Sequence, residues 1–261
     1  MFTSALEKIG SRSMAYSFTL GSLAVFAWNC FKTLTKNPIK VRNTIVQFEI
    51  IGAQSIWIIM ICALSIGAVF GLQVGGIFAI FKAEAILGAA TGMALTRELA
   101  PIITATVLTG RAGSAMTAEI STMKVNEQID AMEAMAVNPI HHLAIPRIIA
   151  SIIATPLLTG VCMLMGMIGA YFVAVLIFSV DIGIFITKTR EFISGSDIVQ
   201  GLQKSVVFGA TFSIVCCFYG LSASGGAKGV GQGTTNAVIA TLLLLLFFDF
   251  IITYLQVVVG L

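Results

Sequence analysis

Charge is what this sequence has least of. Only 10% of its 261 residues are Asp, Glu, Lys or Arg, and 57% are hydrophobic, whereas a soluble domain carries about 25% charged residues. That scarcity excludes a water-soluble globule. A net charge of only +3 gives no electrostatic footprint for nucleic acid. The apolar runs are far longer than barrel strands, so the membrane-crossing elements are helices. Almost every residue is needed for those spans, which leaves no room for a soluble catalytic domain.

Other shortages narrow the reading. The five cysteines (Cys30, Cys62, Cys162, Cys216, Cys217) all lie in apolar segments without metal-site spacing, and read as small buried hydrophobes. The histidines are an adjacent pair, His141-His142, with no carboxylate or cysteine at ligand spacing. No nucleotide loop is present. The stretch SASGGAKGVGQGTTNA, 222–237, is glycine-rich, but Lys228 is followed by Gly229, and no lysine precedes Gly233-Thr234-Thr235. It reads as a tight turn. Met1 to Gly10 is mixed polar and no A-x-A site follows the first apolar run, so no cleavable signal peptide is expected.

What is there is a set of five apolar stretches, at 50–81, 86–108, 148–178, 205–221 and 238–259. They predict an all-α integral membrane protein with five transmembrane helices. Ahead of them, an 18-residue run from Met14 to Phe31 is flanked by Lys8, Arg12, Lys32, Lys36, Lys40 and Arg42. It predicts that residues 1–43 hold a helix lying in the membrane interface, a short first span being the alternative. Sidedness follows the basic residues. With the N-terminus, the 110–147 loop and the 222–236 turn in the cytoplasm, ten of the fifteen Lys and Arg residues lie inside, and the C-terminus lies outside. The absence of an internal repeat argues against a secondary transporter built on inverted halves.

Within the first span, Gly67, Gly71 and Gly75 recur at four-residue spacing, a groove where another helix can approach closely. Beside it runs a bulky stripe, Phe70, Val74, Ile77, Phe78 and Phe81. The pattern fits a subunit interface, a lipid-facing cavity or packing within one chain. The second span carries Arg97-Glu98 and then Pro101. Each charge costs about 2.5–3.5 kcal/mol at the bilayer centre, so both must face protein or water. Adjacent helix positions point about 100° apart, so the two should not pair with each other. Lys204 and Asp249 are the candidate partners. A network that holds the bundle together and a polar spot in a transport cavity both fit.

The remaining charge concentrates between the second and third spans. After a predicted small-residue turn at Gly110–Ala115, an amphipathic helix is expected over 117–136, with Glu119, Lys124, Glu127, Asp130 and Glu133 on it and an end near Asn138-Pro139. In so apolar a chain, this is a docking surface for something in water. With no nucleotide site of its own, the chain must take energy for directed work from a partner.

Three stretches carry a resemblance. Leu108 to Ala115, with Thr117-Ala118-Glu119, Glu127 to Met132 and Asn138-Pro139, resembles the signature of the MlaE/YrbE family of ABC-transporter permeases. Thr96 to Pro101 and Gly225 to Gly231 are similar to its other marked stretches; Ile120-Ser121 stands where many members have Leu-Gly. The likeness covers nearly the whole chain. It implies one permease domain, 1–261, working as a homodimer in the inner membrane with a cytoplasmic ABC ATPase that holds the ATP and Mg, a STAS-domain subunit and a periplasmic hexamer of MCE-domain subunits. The chain itself would bind no cofactor. The cargo would be glycerophospholipid, moved to or from the periplasmic pathway that maintains outer-membrane lipid asymmetry. On this resemblance 117–136 is the coupling helix, and lipid lies on an apolar wall at Phe70, Val74, Ile77, Phe78, Phe81 and Leu99. Arg97, Glu98, Lys204 and Asp249 would be its polar contacts or supports. A lipid-modifying enzyme using His141-His142, and a scaffold that only anchors the MCE ring, are the competing readings.

Overall fold

The structure is a computed structural model that describes the backbone of residues 2–36, 38 and 40–259. Helices make up nearly all of it, and no strand occurs among the described residues. Five helical stretches are long and apolar enough to cross a membrane: Val41–Ile80, Glu84–Val125, Ile140–Leu176, Gly195–Leu221 and Gly226–Val258. Ahead of them α1 (Phe2–Lys36) is a single helix. It stops short of the expected 43 because Pro38 has no N–H to donate and resists continuation.

Each stretch is longer than its apolar core, for identifiable reasons. The first begins at α2 (Val41–Ile51), which passes through one 3₁₀ turn, Ala53–Ser55, into α3 (Ile56–Ile80). The second joins α4 (Leu87–Ala94), α5 (Ala100–Leu108) and α6 (Ser114–Val125) through π turns at Leu95–Leu99 and Thr109–Gly113. The expected turn at Gly110–Ala115 is therefore a widened helical turn. Its small residues allow close packing: a Cβ on Gly113 would sit 2.9 Å from Cys216 Sγ. Pro101 falls in the first turn of α5, directly after a π turn; the extra residue of the π turn accommodates the missing donor.

The single helix expected over 117–136 is two. After α6, Glu127 adopts a left-handed conformation (φ 57°), and α7 (Gln128–Ala134) leaves in a new direction. The break lets Ile129 enter the core, where it is buried with Ile120, Met116 and Leu143. A straight helix would have to place that face on one line. Lys124 and Asp130 bridge the break at 2.5 Å.

The third stretch is a π turn, Ile140–Ala144, followed by α8 (Ile145–Leu176), which runs through Pro156 without ending. Next, α9 (Ile182–Phe192) starts where Asp181 accepts a bond from the Ile184 amide and packs against α4. The fourth stretch, α10 (Gly195–Leu221), begins ten residues before its apolar run, at a capping box between Ser194 and Asp197. Its first turns carry Asp197 and Lys204, both buried, and their polarity hid the start of the span from a hydropathy reading that began it at 205. The glycine-rich segment is a turn only as far as Gly225 (φ 88°). From Gly226 it is already α11 (Gly226–Val259).

Lipid tails are as apolar as leucine, so helices in a membrane associate by close packing of small residues. The main seam here joins α3 to α8. A Cβ on Gly67 would overlap the Gly166 carbonyl, one on Gly71 would meet Ala170 Cα at 3.2 Å, and one on Gly169 would overlap the Leu64 carbonyl. The three-glycine groove is thus filled from within the chain, with Gly75 against Leu87 and Phe178. Replacing Gly67 by Ala should cost about 1–3 kcal/mol by overpacking and lower Tm in detergent. Gly76→Ala, on the open face of the same helix with nothing within 4 Å, should leave it unchanged. Equal Tm values for the two variants would contradict the seam.

Candidate functional site: an intramembrane charge cluster and a charged helix end

The π turn Leu95–Leu99 aims its two charged residues at two different points along α10, Lys204 and Asp197. Glu98 faces Lys204 of α10 at 2.5 Å. Lys204 Nζ also lies 3.5 Å from Asp249 Oδ1 of α11 and donates to Thr253 Oγ1 at 2.8 Å. Thr253 in turn donates toward Glu98 Oε1 at 3.2 Å. Lys204 is completely buried, and its charge is met by two carboxylates from two other spans. Such a group is tolerable in hydrocarbon only when paired this way.

Arg97 reaches the first turn of the same helix, α10. Its Nε donates to Asp197 Oδ1 at 2.7 Å, and Nη2 lies 2.5 Å from the same oxygen. The Asp197 side chain is buried, whereas that of Arg97 is 44% exposed. The second carboxylate oxygen of Asp197 accepts from the Ser194 amide and hydroxyl at 2.8 and 2.9 Å. The expected partners, Lys204 and Asp249, therefore serve Glu98 and each other. Asp197 is the partner that the sequence reading missed. Its signal was the Ser194–Asp197 spacing of a capping box, which moves the start of α10 into reach of Arg97.

The charged segment on α6 and α7 is partly tied down. Glu119 is exposed but bridges to the buried Arg147 of α8 at 2.8 Å, and Arg147 also donates to the Leu143 carbonyl at 2.9 Å. Lys124 pairs with Asp130. Glu127 and Glu133 are exposed. Between α1, α7 and the end of α10 lies a cavity of about 540 Å³, lined by Asn29, Lys124, Glu133 and Asn138 among others.

The apolar stripe on α3 faces out of the single chain. Ile77 and Phe81 are 57% and 72% exposed, Phe70 and Val74 are half-buried, and Phe78 packs against the cluster of Leu87, Ala174, Val180 and Phe185. Leu99 is half-buried on the second span. His141 and His142 are used locally: Nε2 of the first lies 3.1 Å from the Pro38 carbonyl, and Nδ1 of the second 2.6 Å from Lys40 Nζ. Among the described residues no three His, Cys, Asp or Glu side chains gather as metal ligands. Burial pushes the Cys30 thiol up to about 12, so it is an uncharged packing group.

Five spans, a buried charge cluster joining three of them and a charged segment at the end of one span define a polytopic helical membrane protein. Residues 44–255 match the family model described as Permease MlaE, and the chain belongs to that family. It is 39% identical to a probable ABC transporter permease protein of Synechocystis over 226 residues, 87% of this chain and 86% of that one. It is 33% identical to a probable ABC transporter permease protein of Rickettsia felis over 253 residues, 97% and 98% of the two chains. It is also 34% identical over 232 residues to the chloroplastic protein TRIGALACTOSYLDIACYLGLYCEROL 1 of Arabidopsis thaliana, which covers 89% of this chain and 66% of that one. The chain is an ABC-transporter permease, a class that in general works with an ATPase.

Breaking a buried ion pair on one side costs about 3–5 kcal/mol, because it strands the other charge. Lys204→Met should therefore lower Tm in detergent sharply, and adding Glu98→Gln and Asp249→Asn should recover much of the loss. A triple variant no more stable than Lys204→Met would contradict the pairing.

Proposed function

We propose that this permease moves glycerophospholipid between the inner membrane and a periplasmic MCE-protein pathway, and so maintains outer-membrane lipid asymmetry. The observation that carries the reading is the continuity of Glu84–Val125. One helix bears Glu98 of the intramembrane cluster and ends in the charged α6–α7 projection. A push at its cytoplasmic end is felt at the cluster.

A glycerophospholipid has two apolar tails and a charged head, so its site should be a large apolar surface edged by a few charges. Phe70, Val74, Ile77, Phe78, Phe81 and Leu99 are the apolar surface. Arg97, Glu98, Lys204 and Asp249 are its polar edge or its supports. Two copies face each other in a homodimer, and the exposure of Ile77 and Phe81 in the single chain supports that arrangement. The name of the Arabidopsis relative is that of a diacylglycerol lipid, which supports lipid as the cargo class.

On this reading Glu119, Lys124, Glu127, Asp130 and Glu133 form the coupling surface, set on two helices joined at Glu127. They dock in a partner ABC ATPase that holds ATP and Mg, alongside a STAS-domain subunit, with an MCE-domain hexamer on the periplasmic side. The N-terminus is cytoplasmic, α1 lies in the inner-membrane interface, and the C-terminus is periplasmic.

The protein extracted gently from native membranes through a C-terminal tag should carry ATP hydrolysis that it cannot perform itself. Glu127→Lys with Glu133→Lys should reduce that activity at least tenfold while the spans remain inserted. The exchange Lys124→Asp with Asp130→Lys keeps the bridge within the chain but inverts the surface, and should do the same. Wild-type hydrolysis with both inverted surfaces would contradict docking here and favour a scaffold.

A further inference from the structure

The π turn Thr109–Gly113 places one side chain against the neighbouring span. Arg111 Nη1 donates to Ser55 Oγ at 2.7 Å and to the Ile50 carbonyl at 3.1 Å, and Nη2 donates to Gln54 Oε1 at 3.1 Å. All three acceptors lie at the joint between α2 and α3, where Gly52 ends one helix and a single 3₁₀ turn begins the next. A Cβ on Gly52 would press on the Phe48 carbonyl at 2.8 Å, so the joint keeps its shape only with glycine there. Ser55 is fully buried and passes the contact on, donating to the Ile51 carbonyl at 2.7 Å.

Among the described residues these are the only side-chain hydrogen bonds between the first and second spans. The other large contact of α3, with α8, is a seam of glycine and alanine with no polar tie to fix its register. A guanidinium can hold three acceptors in a fixed plane, whereas a lysine ammonium is a compact point charge on a flexible stem. The next residues along the second span are α6, with Glu119, Lys124 and the break at Glu127.

We propose that Arg111 is a positioning residue that transmits movement of α6–α7 to the α2–α3 joint, so that α3 and the apolar wall it carries shift when the cytoplasmic end is pushed. This rests on the docking of an ATPase at that end. The clamp makes α3 follow the second span, while the small-residue seam with α8 lets it slide.

The test uses the whole complex purified with its ATPase. A single reporter cysteine is placed by Gly76→Cys, on the open face of α3, in a Cys62→Ala background; Cys30, Cys162, Cys216 and Cys217 are buried. The rate of labelling by a membrane-permeant maleimide is measured without nucleotide and with ATP and vanadate. With Arg111 present, the rate should change at least threefold between the two states. With Arg111→Ala or Arg111→Lys, that change should vanish while ATP hydrolysis co-purifies and Tm stays within a few degrees. Ser55→Ala with Gln54→Ala, which removes two acceptors and leaves Arg111 in place, should shrink the change similarly. A nucleotide-dependent change that survives Arg111→Ala would overturn the proposal and leave ATPase docking intact. Wild-type complex that hydrolyses ATP without any change at Gly76→Cys would also overturn it, and material without co-purifying hydrolysis would remove the docking on which it rests.

Discussion

A fully buried lysine cannot stand alone in hydrocarbon, and the central part of this bundle is arranged around that constraint. Lys204 on α10 needs Glu98 from the second span and Asp249 from the last. Those three helices are thereby fixed in depth and rotation relative to one another. Glu98 and Arg97 both reach α10, at Lys204 and Asp197, from the π turn at Leu95–Leu99. A regular α-helix would hold the two residues in a fixed 100° relation, and the widened turn adjusts it. The small-residue seam between α3 and α8 answers a different need, that of associating helices where the hydrophobic effect gives no help.

The two halves of the molecule differ in character. Toward the cluster, the buried Lys204 and Asp197 are each met by opposite charge. Toward the α6–α7 end, Lys124 pairs with Asp130 on the surface, which contributes little to stability, while Glu119 meets the buried Arg147. Even so, this end is anchored, because Met116, Ile120 and Ile129 lie in the core. The helix Glu84–Val125 belongs to both halves, and its two π turns mark the points where its side chains leave the regular lattice.

Much of this was legible from residue type and spacing. Five spans, the all-α class and the pairing need of Arg97 and Glu98 follow from scarcity of charge and the cost of burying it. The charged segment between the second and third spans was visible because nothing else in the chain resembles it. Three features were hidden for physical reasons. Asp197 and Lys204 are polar residues in the first turns of a membrane helix, so the hydropathy reading began that span only at 205. Gly110–Ala115 reads as a turn because glycine is permissive, yet here the small residues serve close packing within a π turn. The break at Glu127 arises from the pull of Ile129 into the core, a tertiary demand that no local pattern states. The glycine triplet allowed a subunit contact or packing within one chain, and only the position of Gly166 decided between them.

The central claim is that ATP hydrolysis at a docked partner drives phospholipid across the apolar wall of this permease. The most direct measurement is transfer of a labelled glycerophospholipid in proteoliposomes containing the purified complex and its periplasmic acceptor. The account predicts transfer that requires ATP and stops with vanadate. Sustained hydrolysis with lipid transfer no faster than in empty liposomes would contradict it.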